Sequence, residues 1–206
     1  MTQTITGLFD RYDDARRAVQ DLEAAGVPHR DVSIVGHDGA DRTGTTHAHA
    51  NDTEDAASED AGAGAGIGAA VGGIGGLLAG LGLLAIPGIG PVVAAGWLAA
   101  TAAGAAGGAL VGAAAGGLVG ALTHAGVPEH DAHVYAEGVR RGGTLVTAKV
   151  DEPLVHTART ILGDDRTVDV AERRQAYEQQ GWSRFDDTAP AYSQSEIAAE
   201  RTRYTV

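Results

Sequence analysis

Between residues 61 and 128 the chain has no Asp, Glu, Lys or Arg, and two stretches of this block place glycine on every fourth residue. The first row is Gly64, Gly68, Gly72, Gly76 and Gly80; the second is Gly104, Gly108, Gly112, Gly116 and Gly120. Glycine inside a helix costs roughly 1 kcal/mol relative to alanine, so ten such positions cost on the order of 10 kcal/mol unless packing offsets it. Four-residue spacing lines the glycines up on one inclined ridge, where a second helix can approach until backbones touch. The rows therefore predict a helical hairpin, with helices over 61–86 and 91–123. "IPGIGP" divides the two, and Pro87, Gly88, Gly90 and Pro91 are expected to form the hairpin turn. Each step of four advances about 40° past a full turn, so a row winds around its helix and meets more than one neighbour. That drift points to self-association as a homo-oligomer.

Both predicted helices are long enough to cross roughly 30 Å of hydrocarbon. Gly and Ala make up most of residues 61–123, however, and the strongly favourable Leu, Ile and Val are few. The flanks hold Glu59 and Asp60 on one side and Glu129 and Asp131 on the other, with Trp97 as the one interfacial anchor. An uncharged surface around two helices is still more than a small domain can cover, so membrane association is expected, with the flanking parts in the cytoplasm. The alternative is a soluble cytoplasmic regulatory or binding module whose hairpin mediates assembly.

All formal charge lies outside the block, and it sums to 15 − 27 = −12. An acidic balance argues against nucleic acid, which needs clustered Lys and Arg. The absence of cysteine excludes disulfides, thiolate metal sites and cysteine nucleophiles. The start, "TQTITGLFD", carries no signal-peptide pattern, so classical secretion is not expected.

Residues 4–9 ("TITGLF") have extended character. "DDARRAVQDLEAAG" follows with Ala15, Ala18, Val19 and Leu22 at helical spacing and Gly26 as the stop, and "DVSIVG" turns Val32 and Ile34 inward. Residues 37–60 are polar and acidic and read as a flexible linker. Beyond the block, "PEHDAHVYAEGVRRGG" reads as a helix and "TLVTAKV" as a strand with Val146, Ala148 and Val150 on one face. "EPLVHTARTILGDD" is a helix with Leu154, Val155, Ala158, Ile161 and Leu162 inward, and "TVDVAE" a last strand. A strand-Asp-helix layout shared by the two halves hints at an internal repeat. The expected organisation is a first β-α-β half (1–36), the acidic linker (37–60), the glycine-zipper hairpin (61–127), a helix plus second β-α-β half (128–172) and a polar tail (173–206). The two halves would pair as an α+β, ferredoxin-like split β-α-β sheet with both helices on one side.

The tail holds Tyr177, Trp182, Phe185, Tyr192 and Tyr204, aromatics expected to dock on the chain's own domain or on a protein partner. Its "SQSE" (193–196) fits a capping box ahead of a helix.

Together, "TITGLFDRYDDARRAVQDLEAAGVPHRDVSIVG", "AIPGIGPVVAAGWLAA" and "GVPEHDAHVYAEGVRRGGTLVTAKV" resemble the bacterial general stress, or heat-induced stress, protein domain, in its variant with an inserted glycine-zipper hairpin. The resemblance runs from about residue 4 to 172 and implies a stress-associated, non-catalytic bacterial protein. It brings no catalytic residues.

The residues themselves offer little chemistry. His130, His133 and Glu137 would share a helix face, but two imidazoles and one carboxylate without further ligands read as surface polarity. His37, His47, His49 and Asp52 read as part of a solvated spacer. "GAGIGAA" (64–70) has a GxGxxA pattern without the preceding strand or later acidic residue of a dinucleotide site. Ser33, Ser58, Ser183, Ser193 and Ser195 lack a recognisable base. No enzyme, cofactor or metal is expected.

Overall fold

A computed structural model describes residues 2–37, 82–98, 101 and 117–204. Strand β1 (Thr2–Phe9) leads to helix α1 (Tyr12–Ala24), a single 3-10 turn (His29–Asp31) and strand β2 (Val32–His37). Strands β3 (Gly82–Ile86) and β4 (Gly90–Gly96) follow, then helices α2 (Gly117–His124) and α3 (Glu129–Arg140). Strand β5 (Thr144–Asp151) runs straight into helix α4 (Glu152–Ile161), and helices α5 (Val170–Gln179) and α6 (Gln194–Tyr204) close the chain.

The strands form one antiparallel sheet in the order β1-β5-β2-β4-β3. Alternation along each strand sends neighbouring residues to opposite faces. Leu8, Val35, Ala94 and Leu145 enter one apolar cluster, and Phe9, Ile34, Ala95 and Val146 enter the other. α1 and α4 cover the second face, burying Ala15, Ala18, Val19, Leu22, Val155 and Ala158. α2 and α3 cover the first with Leu118, Leu122, Ala132, Ala136 and Val139. The layering is therefore helix, sheet, helix, which is why β2 is buried along its whole length instead of on alternate residues.

This mixed α and β architecture with an antiparallel sheet agrees with the expected class, while three details differ. Residues 82–86 and 91–96, expected in two helices, lie in strands β3 and β4. β4 extends the sheet by pairing with β2, Ile34 opposite Ala95 and Val35 opposite Ala94. Val92 and Val93 suit a strand buried on both faces, and this pairing overrides the helix preference of the alanines. "TVDVAE" is not a strand: it contributes one bridge, Phe9 to Thr167, with Val168 N donating to Leu8 O at 2.8 Å. Asp169 then caps α5 by accepting from Glu172 N at 2.9 Å, which turns the chain into helix. Finally, the two β-α-β helices do share a side, but the opposite face is also covered.

α1 and α2 end alike. Val27 N donates to Leu22 O and Val127 N to Leu122 O, each at 3.0 Å, over Gly26 and Gly126 at φ of 95° and 94°. Both caps lie in an "AGVP" tetrapeptide, residues 25–28 and 125–128. Among the described residues, no helix is long and apolar enough to cross a membrane.

Candidate functional site

Of the glycine rows, Gly64, Gly68, Gly72, Gly76, Gly80, Gly104, Gly108, Gly112 and Gly116 lie outside the described residues. Gly120 is in α2, half-buried between Leu118, Val119, Ala121 and Leu122, which anchor the helix. In place of a helical-hairpin turn, Pro87 and Gly88 lie in the turn between β3 and β4, and Gly90 and Pro91 begin β4: Ile89 N donates to Ile86 O at 3.0 Å, and Gly88 and Gly90 have φ of 73° and 95°. This turn is not bare. A side chain at Gly88 would strike Asp186 O and Asp187 Cα at 2.7 Å, and one at Gly90 would strike Ala191 Cβ at 2.8 Å. The bare backbone at both positions lets residues 186–191 lie directly on the turn.

The site with the densest polar chemistry holds the rest of that tail. Arg141, just past the end of α3, is 7% exposed; its Nε donates to Glu137 Oε1 at 2.7 Å and its Nη1 to Glu200 Oε1 at 2.6 Å. Nη1 also reaches Gln180 Oε1 at 2.6 Å. Glu137 takes a second bond from Arg140 at 3.3 Å, and Glu200 one from Arg203 at 2.8 Å. The two buried carboxylates thus meet three guanidinium groups. The Arg141 guanidinium also lies 4.1 Å from the Tyr177 ring centre and 5.7 Å from that of Tyr192.

Two further contacts tie the tail down. Arg173 grips Asp10 through two bonds of 2.8 and 2.7 Å and stacks 3.7 Å from the Tyr204 ring. Arg140 donates to Pro190 O at 3.0 Å beneath Tyr192. The apolar anchors are Tyr177 and Ile197, both fully buried, and Phe185, which joins the core beneath α2 and α3. Ser193 and Glu196 form the expected capping box, with Ser193 N donating to Glu196 Oε2 at 2.8 Å and Glu196 N to Ser193 Oγ at 3.4 Å.

Electrostatics follow from this burial. Desolvation works against charge on Arg141, but the bonds to Glu137 and Glu200 outweigh it and raise its pKa. Arg173 behaves likewise through Asp10. Burial, with Asp131 nearby, pushes the Tyr135 phenol up to about 12, and burial raises Tyr177 as well.

A shallow groove of about 540 Å³ lies beside this cluster, lined by Glu129, His130, His133, Arg174, Glu178 and Trp182 among others. His133 Nε2 stands 3.8 Å from Glu129 Oε1 and His130 Nε2 3.5 Å from Asp131 Oδ1. Glu137 is committed to Arg140 and Arg141, so the three groups expected on one helix face do not converge. Among the described residues, no three His, Cys, Asp or Glu side chains stand together so as to hold a metal ion.

The Arg141 cluster was not read from the sequence. Glu137 and Arg141 are four apart, an ordinary surface spacing, and the partner that makes the pair a buried one is 59 positions away.

Residues 4–87 match the model of the heat induced stress protein YflT domain, in agreement with the resemblance drawn from the sequence over this stretch. The match takes in β1, α1 and β2 and ends with β3, short of the second half included in the resemblance. No curated protein and no solved structure matches the chain.

Proposed function

We propose that this is a non-enzymatic, stress-associated protein whose α/β body carries a glycine-zipper segment that self-associates and contacts the membrane. The observation that carries this reading is where the rows join the body. Gly82 pairs with Ala94, so the strand that follows the first glycine-rich stretch in the sequence and the strand that precedes the second are neighbours in the sheet. Two uncharged, small-residue stretches joined to the body through neighbouring strands support the reading that they make backbone-to-backbone contact, within one chain or between copies. The match of residues 4–87 to the heat-induced stress domain supports the stress association.

Membrane contact rests on the absence of charged residues from the sequence of 61–128, not on a spanning helix. Alkaline carbonate washing of membranes from cells making the full chain tests it: a membrane-inserted protein stays in the pellet. Release into the supernatant supports the soluble regulatory module instead. Self-association is tested separately, by sedimentation of the purified chain over a range of concentrations.

A further inference from the structure

We propose that residues 186–204, beyond the core anchor Phe185, are a releasable strap, locked by the Arg141–Glu200 pair, whose docked state holds the β3–β4 turn closed on the body. The strap touches the turn at one end and α3 at the other. Residues 186–191 lie on Gly88 and Gly90, while Arg140 and Arg141 hold Pro190, Tyr192 and Glu200 from beneath. Its lock is mostly polar. α6 buries only Ile197 and Glu200, so most of that helix faces water and its docking depends on one charged pair and a few anchors. Ile197 also fills the place a side chain at Gly142 would take, and Arg201 donates to Gly142 O at 3.1 Å. A segment secured by charge and a few side chains is the kind that opens without the core. Release of the lock would free the turn of the β3–β4 hairpin, whose opposite end, at Gly82 and Gly96, connects to the two glycine-rich segments. The strap stands on these contacts alone; its control of assembly rests on the function proposed above.

Two variants reach the strap from opposite ends, and linkage requires each to act at the far one. Glu200→Gln keeps the shape of the side chain and removes the charge from the lock. Gly88→Ala pushes a methyl into residues 186–187. In hydrogen exchange on the full chain, Glu200→Gln is expected to speed exchange of the residue 86–91 amides by about tenfold, and Gly88→Ala that of the residue 194–204 amides by a similar factor, with the β1–β5 amides unchanged. The proposal is overturned if each variant affects only its own surroundings. It is equally overturned if β1 and β5 loosen with the strap, since the tail is then an inseparable part of the body. Sedimentation of the same variants reads the consequence: an association constant changed by about tenfold supports control of assembly, and an unchanged one contradicts it. A wild-type chain that stays monomeric contradicts the assembly reading, while exchange still decides the strap.

Discussion

Arg141 and Glu200 stand 59 positions apart in the chain and meet at 2.6 Å, each less than a tenth exposed. An ion pair of this kind is costly to break from one side, because the partner is left charged and buried. Replacing Arg141 by alanine removes the guanidinium that Glu137 and Glu200 share and leaves each buried carboxylate only Arg140 or Arg203, so the loss in unfolding free energy, measured by denaturant titration, is expected at about 3 kcal/mol, the low end for breaking a buried pair from one side. Arg141→Lys should recover only part of it. A single ammonium on a flexible stem does not reproduce the planar fork that serves Glu137, Glu200 and Gln180 at once.

Two glycines of the same backbone class make a contrasting pair. Gly26 has φ 95° with nothing within 4 Å of a would-be side chain, whereas at Gly96, φ 89°, that position is taken by the Val32 carbonyl oxygen and lies 2.8 Å from Ser33 Cα. Gly26→Ala is expected to cost about 1–2 kcal/mol, the left-handed strain alone. Gly96→Ala adds a backbone collision and should cost clearly more, with β4 displaced from β2. Equal losses for the two variants in denaturant titration would contradict this.

The alkaline limb of stability should carry the signature of Tyr135. Its phenol is held neutral in the fold up to about 12 by burial and by Asp131, against about 10 in an unfolded chain. A raised pKa gives stability that is fully present below pH 10 and lost as pH rises toward 12. Tyr135→Phe removes the ionisable group, so stability measured between pH 9 and about 12 should fall less steeply for the variant than for the parent.

The acidic limb has a counterpart in Asp164. Burial opposes its charge, but hydrogen bonds from the Arg166 side chain and backbone prevail and lower its pKa. A lowered carboxyl pKa gives stability present above about 3.9, lost as pH falls through the folded value. Asp164→Asn is expected to flatten the decline below pH 4 and to leave the slope near pH 7 unaltered.

Where the sequence carries strong periodicity, it predicts the structure well. Ala15, Ala18, Val19 and Leu22 are the buried face of α1, and Val146, Ala148 and Val150 share one face of β5. The Ser193–Glu196 box and the docking of Tyr177 and Phe185 were legible for similar local reasons. Gly and Ala carry no such signal: a run of small residues suits a close-packed helix or a strand buried on both faces, and only pairing with β2 makes residues 90–96 a strand. The tail's docking site was illegible because it is built from contacts distant in sequence. Asp10 meets Arg173 and Glu137 meets Glu200 through Arg141, and neither spacing nor composition brings those residues together.

The most direct test of the central claim is sedimentation of the full chain beside Gly112→Leu, with circular dichroism to confirm that the body keeps its fold. If the glycine rows join copies by bare backbone contact, the parent assembles with rising concentration and the variant's association weakens by at least about tenfold, since a leucine holds the helices apart. Equal association of the two, at equal helix and sheet content, would contradict it.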